Sequence, residues 1–563
     1  MRADGVQRVV MDDGRLRIRP AADRWMTRAA WTVGVAYGGL AMCLAVLIPY
    51  HAFDALALGA WSRSIAETGR VVSSADGAWY LQRPLFYVLQ GWLWGITGVA
   101  DAYGRVLSFA FAAIFVAAFV TLARTVVPAG AAVAVLLLLS VPALAEGAVA
   151  GLTDVPVAAL VTCTAAALWT TAGAYIRAIA IAAGAAAAAL AKPSAFPALA
   201  GLAAAHVLGD RPHLRTRLAT GVAPLAAGCA VAMAWHAFGA RALGLPLSGF
   251  LSTGTTTGYY ADVASAHRRD AVIALAWLGP ALAGPLAFAL VYATLRIANA
   301  SHVVTAVTAA LVGSAWLAAR GAGDASAAAV GPAIAAALAL LVPVVATARS
   351  AAAAAPSRLV VGRLCVWAIP PVAAWIAFTP YDVRLLSGAW TPLVLLTAAV
   401  VASAFSAGRP WTRVAIGAAL ICLAVTNLRA LDRGWSGWRS VPRLWAAGFD
   451  ERVVRRATLG PLDEAVGIVQ AQIGEDGRLY SSDGRFGYFF PGRHTSAYPR
   501  SCADLDGHRV FVLVTDAVTR TVQENWVKGP ASRDYWAACR TPRLSLAGEA
   551  GDFVVFRIGA SAE

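Results

Sequence analysis

Two carboxylates and three cations in this chain of 563 residues stand where they could work on a substrate at a membrane surface. Asp54 closes the run His51-Ala52-Phe53-Asp54, just beyond the first apolar stretch. Asp154 lies in Gly151-Leu152-Thr153-Asp154-Val155-Pro156, at the start of a later one. Each has a plain structural reading, because Asp caps helices well and Pro suits a first helical turn. Two carboxylates at one depth can also divide the roles of general base and electrostatic partner, or hold a divalent cation through oxygen. Arg83 in Tyr80-Leu81-Gln82-Arg83-Pro84, Lys192 in Ala191-Lys192-Pro193-Ser194 and Arg384 in Pro380-Tyr381-Asp382-Val383-Arg384 supply positive charge at comparable positions. A cation snorkelling from a helix end explains any one of them. Lys192 resists that reading, since Lys528 is the only other lysine and this sequence otherwise writes its positive charge as arginine. Cations beside a membrane suit a lipid phosphate, which needs neutralising charge and hydrogen-bond donors.

The elements that must position these groups are membrane spans. Apolar residues make up 59% of the chain and charged residues 14%, against about 45–50% and about 25% in soluble domains. Stretches long enough to cross a bilayer run over Ala30–Tyr50, Val106–Leu122, Val126–Leu144, Val155–Ala172, Ala178–Ala191, Phe196–Leu208 and Leu218–Ala237. They continue over Ala271–Leu295, Val303–Leu317, Ala327–Ala346, Leu364–Phe378, Leu385–Phe405 and Val414–Leu428, roughly thirteen spans in all. Pro84–Gly98 is apolar and Trp-rich but short, which predicts a helix lying at the interface. The N-terminal arginines precede a span too long for a cleavable signal, so the first span reads as a signal anchor with its N-terminus in the cytoplasm. From that start Arg124, Arg177, Arg211, Arg215, Arg217, Arg296, Arg349, Arg358, Arg363, Arg409 and Arg413 fall on the inner side, as the positive-inside bias requires. All five chemical candidates then fall on the outer side, and so does the C-terminal region. The net charge of +15 is thus a topology signal. No basic, aromatic-interleaved patch points to nucleic acid.

The fold class expected is mostly α: a polytopic transmembrane helical bundle with a small extracytoplasmic α/β domain at the C-terminus. Residues 1–29 form a cytoplasmic segment, 30–428 the membrane domain with an outer loop at 51–103, 429–456 a Trp-rich tether, and 457–563 the outer domain. In the latter, Leu462–Ile473 has helical spacing and Arg478–Ser482, Val510–Thr515 and Gly551–Ile558 read as strands. Its turns Gly474–Gly477 and Asp483-Gly484 do not form a phosphate loop, and His494 and His508 read as structural. Of seven cysteines, Cys502 and Cys539 alone lie in polar sequence, where an exported domain would allow a disulfide between them. No Cys/His metal spacing occurs.

In this order the motifs resemble the GT-C membrane glycosyltransferases, in particular the protein O-mannosyltransferase and lipid A aminoarabinose transferase group. The resemblance rests on Asp54 after the first span, the outer helix ending in Glu67-Thr68-Gly69, Arg83-Pro84-Leu85-Phe86-Tyr87, and Arg105 opening the next span. Thr153–Pro156, Lys192-Pro193 and the terminal outer domain extend it. It covers roughly the first 200 residues by motif and the rest by topology. Two departures stand out: Ala55 follows Asp54 where an acid is frequent, and a single Pro84 follows Arg83. The resemblance implies transfer of a sugar from a polyprenyl-phosphate carrier to a glycan, lipid or protein acceptor on the outer face of the cytoplasmic membrane. Asp54 would match the base and Asp154 the second acid, assisting it or a divalent cation. Arg83 would match the contact to the carrier phosphate, with Lys192 and Arg384 beside it. A secondary transporter is the competing expectation, but it places its ionisable groups near the midplane and shows internal repeats. A non-catalytic envelope-assembly protein is the third.

Overall fold

A backbone removed from water must satisfy its own polar groups, so the long apolar runs close into helices. The computed structural model describes residues 48–50, 53–69, 81–139, 141–169, 173–208, 214–252, 358–378, 383–407, 440–481, 483–496, 502–514 and 544–559. The membrane part of these begins with α1 (Phe53–Thr68), α2 (Pro84–Thr97), α3 (Asp101–Val126), α4 (Ala131–Leu139) and α5 (Pro142–Ala150). It continues with α6 (Asp154–Trp169), α7 (Ala174–Ala191), α8 (Ala195–Val207), α9 (Leu214–Ala242), α10 (Leu247–Ser252), α11 (Arg358–Phe378) and α12 (Ser387–Ala407). Among the described residues α3, α7 and α9 are long and apolar enough to cross a membrane, and α6, α8, α11 and α12 contain shorter apolar helices. The expected spans Ala271–Leu295, Val303–Leu317, Ala327–Ala346 and Val414–Leu428 lie outside the described residues, as does nearly all of Ala30–Tyr50.

One expected span is corrected. Val126–Leu144 is not a single helix: a 3-10 turn over Pro128–Gly130 leads into α4, and the chain breaks again before α5. The cause is proline chemistry. Pro142 has no N–H to donate to the preceding turn, and Val141 before it is extended at φ −73°, ψ 109°.

α6 and α7 pack as an antiparallel hairpin, with α3 against α6, α9 against α7, α8 against α11, and α12 against α4 and α6. Their shared core is aliphatic with a few aromatics, among them Phe115, Phe119, Trp367, Trp375 and Trp390. Midway along it the hydroxyls of Thr162 on α6 and Thr391 on α12 meet at 2.6 Å, satisfying each other in an apolar interior.

Beyond the bundle, α13 (Ser440–Ala446), α14 (Glu451–Leu459) and α15 (Pro461–Ile473) precede a five-stranded sheet. Two of these helices thus stand inside the stretch expected as a tether. Asp450 starts α14 by accepting from the backbone N–H groups of Arg452 and Val453 at 2.8 and 3.1 Å. The strands are β1 (Leu479–Ser481), β2 (His494–Ser496), β3 (Val510–Val514), β4 (Leu544–Ala550) and β5 (Phe553–Ile558), in the order β2-β1-β3-β5-β4. β2, β1 and β3 are parallel, while β5 and β4 add antiparallel. α16 (Phe486–Phe489) lies between β1 and β2 in sequence. Leu462, Val466 and Val469 of α15 pack on Leu479, Val510, Val512 and Val555 of the sheet. The same core takes in Tyr50, Leu56 and Trp94 from the membrane part, so the outer domain sits directly on α1 and α2.

Candidate active site

The five sequence candidates are delivered by element ends at one side of the bundle. Asp54 occupies the first turn of α1, half-buried. Arg83 is the residue before α2, with φ −132° and ψ 48°, followed by Pro84 at the first helical position. Its turn is braced from α9 and α10: the Trp235 indole donates to Leu81 O at 2.8 Å, and the Gln82 amide donates to Phe250 O. Asp154 opens α6 and Lys192 closes α7. Arg384 falls in a 3-10 turn, Val383–Leu386, that packs against α5, α11 and α12. Counting up from the Thr162–Thr391 contact, Asp154 and Arg384 are each about two helical turns away in the same direction, so their backbones share one level.

The side chains of four candidates cluster. Lys192 Nζ donates to Asp154 Oδ1 at 2.6 Å, and both residues are almost fully buried. Lys192, expected to face a lipid phosphate, is therefore held by Asp154, since an ammonium buried at this depth needs a counter-charge. Asp154 Oδ2 is buried and has no hydrogen-bond partner among the described residues. Arg83, Asp54 and Asp154 all lie within electrostatic range of the Tyr87 phenol, one turn into α2. Tyr87 is itself buried, with Ser62 Oγ of α1 3.0 Å from its carbonyl oxygen. Two acids and two cations thus share this side of the bundle, a charge-balanced set of acceptors and donors. Arg384 reaches this side with its backbone.

A divalent cation fits these residues poorly. Among the described residues no three His, Cys, Asp or Glu side chains converge, and the Lys192 ammonium already occupies one oxygen of Asp154. Hard dications take six or more oxygens and are repelled by an adjacent ammonium. The pairing expected for Cys502 lies outside the described residues at Cys539, while Cys502 itself begins a 3-10 turn, Cys502–Leu505.

Sequence reasoning assigned no role to the clamp that holds this pocket against the outer domain. Asp101, at the start of α3, accepts from the backbone N–H of Tyr50 at 2.8 Å and from the phenol of Tyr488 on α16. Burial first, and the Asp101 carboxylate second, push the Tyr488 phenol far above its usual range and keep it a donor. Tyr50 in turn accepts from Gln90 Nε2 at 2.9 Å and lies under the Arg105 guanidinium at 4.6 Å. Arg105 Nε donates to Val149 O at 2.5 Å. Gly151, at φ 73°, lets the chain pass so close to Tyr50 that a Cβ would sit 2.8 Å from its ring. From the other side Arg63 Nη1 of α1 donates to Tyr488 O at 2.8 Å. The only sequence signal was Asp101 following Gly98-Val99-Ala100, which reads as an ordinary helix start.

No family model matches the chain, and no curated protein sequence does. Solved structures do match over almost the whole length, two of ArnT among them. One is ArnT from Cupriavidus metallidurans bound to undecaprenyl phosphate, with 12% identity, TM-score 0.53, and 97% of this chain and 99% of that chain covered. The other is ArnT from the same organism in the apo state, with 14% identity, TM-score 0.51, and 96% and 99% covered. At such identities the likeness speaks for the fold. The pocket and its clamp therefore sit on a fold similar to that of these two ArnT structures.

Proposed function

We propose that this protein is a glycosyltransferase that moves a sugar from a polyprenyl-phosphate donor to an acceptor hydroxyl at the outer face of the cytoplasmic membrane. The observation that carries the reading is the buried Lys192–Asp154 pair with Asp54 and Arg83 within electrostatic range of the same Tyr87 phenol, at one end of a membrane bundle. The fold shared with a structure holding undecaprenyl phosphate supports the donor class.

The chemistry follows from the groups present. Asp54 takes the proton of the acceptor hydroxyl, and that oxygen attacks the anomeric carbon of the donor sugar. The bond from the anomeric carbon to the phosphate oxygen breaks, and its electron pair leaves with the polyprenyl phosphate. Arg83 stabilises the charge that develops on the departing phosphate, with Arg384 approaching from the turn before α12. Asp154 is a positioning acid: Lys192 fixes its Oδ1, which leaves Oδ2 to accept a hydrogen bond from a substrate hydroxyl. Because the leaving group is already good, orientation of the two substrates does most of the work.

The test is transfer of radiolabelled sugar from a polyprenyl-phosphate donor into a membrane product by the purified full chain. Asp54→Asn is expected to abolish the product while the protein still elutes as a monodisperse peak in detergent. Near-normal turnover by that variant would refute the assignment of the base, and label uptake into vesicles without a glycosylated product would favour a transporter.

A further inference from the structure

The opposite end of the bundle holds a second group of charges for which the transfer chemistry has no use. Arg177 stands in the first turn of α7, Arg217 in the first turn of α9, His206 in the last turn of α8 and Arg363 in the second turn of α11. α8 packs against α9 and α11, and α9 against α7, so these four ends are neighbours. Arg217, Arg363 and Arg177 all lie within electrostatic range of the His206 ring. The π turn over Leu218–Val222 brings Gly221 against that ring, leaving no room for a side chain between them. Arg363 Nε donates to Leu208 O at 2.8 Å and so fixes the end of α8.

An arginine at a helix end needs no special account, since it can reach water and set topology. The arrangement here differs. Arg177 Nε, Arg217 Nη1 and His206 Nε2 are buried without a hydrogen-bond partner among the described residues. Neither Arg177 nor Arg217 has an acidic partner there, and the sole acid between residues 170 and 222 apart from the outer end, Asp210, lies outside the described residues. The guanidinium donors of Arg177 and Arg217 buried without acceptors are unfavourable, and the two cations drawn together repel one another. An anion with several oxygens satisfies both at once.

We propose that Arg177 and Arg217 bind the phosphate of an anionic phospholipid, seated between the inner ends of α7, α8, α9 and α11. The chemistry recognised is a phosphate oxygen cluster. The membrane supplies it as a headgroup whose acyl chains run along the apolar flanks of these same helices, as basic pockets between inner helix ends do. The inference stands apart from the transfer reading, since none of these residues enters it.

Native mass spectrometry of the wild-type chain with equimolar phosphatidylglycerol and phosphatidylcholine is expected to show roughly tenfold greater retention of the anionic lipid. Equal retention overturns the proposal. In mixed micelles, phosphatidylglycerol is expected to raise the melting midpoint of the full chain, while phosphatidylcholine, or millimolar inorganic phosphate without lipid, does not. The rise should vanish in Arg177→Gln/Arg217→Gln while sugar transfer persists. A rise with inorganic phosphate alone overturns the lipid as ligand, and a rise that survives in the double variant overturns the site. The mass measurement needs no variant and decides the matter even where the double variant does not fold.

Discussion

The two ends of the bundle are built on opposite electrostatic plans. At the outer end Asp54 and Asp154 face Arg83 and Lys192, and one buried pair is closed to 2.6 Å. At the opposite end Arg177 and Arg217 stand near His206 with no acidic partner among the described residues. A balanced site can bury its charges and keep one carboxylate ready for proton transfer, whereas an unbalanced one stays incomplete until an anion arrives. The difference teaches that charge at a membrane helix end is not one phenomenon. The same arginine-rich sequence makes a self-sufficient pocket on one side and a receptive one on the other.

The comparison can be broken or sharpened at the outer end by four measurements. The largest effect is expected from Asp54→Asn, which should lower the transfer rate by about a hundred- to ten-thousandfold, read as initial rates with the donor saturating. Removing one partner of the buried pair comes next. Lys192→Gln leaves Asp154 buried and unpaired and should destabilise the chain by about 3–5 kcal/mol. The double variant Asp154→Asn/Lys192→Gln should recover much of that in detergent-solubilised melts. If the single and double variants melt alike, the pair does not organise this end.

The third measurement concerns pH. Burial pushes the His494 imidazole down to about 4, and its Nε2 donates to Ser481 O at 3.1 Å. The folded state therefore refuses a proton that the unfolded chain accepts near 6.5. Stability is complete above pH 6.5 and falls as pH drops from there to 4, by at most roughly 3 kcal/mol. His494→Gln should flatten that slope in melts of the full chain across the window. The smallest effect is expected from Tyr488→Phe. It removes one bond to Asp101 and should cost about 1–2 kcal/mol, seen as faster hydrogen exchange in α16 and β1 with the membrane helices unchanged.

Much of this was legible in the residues themselves. Apolar length located α3, α6, α7, α8, α9, α11 and α12 to within a few residues, and the short Trp-rich run became α2 as expected. The shared level of Asp154 and Lys192 was readable too, because 38 residues of helical hairpin return to one face after two crossings. Their contact was not, since spacing fixes depth in the membrane but not the direction in which a helix turns its side chains. The break at Pro142 was hidden by an unbroken apolar run. β2 escaped because three polar-rich residues carry no alternation, and β4 because it is an edge strand with a bulge at Leu546/Gly548. The Asp101–Tyr488 bond spans 387 positions, and no local pattern announces it.

That the outer domain completes its core with Tyr50, Leu56 and Trp94 has a consequence for how the protein is made. These residues leave the ribosome about four hundred positions ahead of the sheet they will cover. They must wait, without that cover, until the last strand has been made. The C-terminal domain cannot complete its core ahead of the bundle, and its docking on α1, the helix that carries Asp54, comes late in assembly. A chain without its last strand would thus leave α1, and the proposed base Asp54 on it, without its full cover.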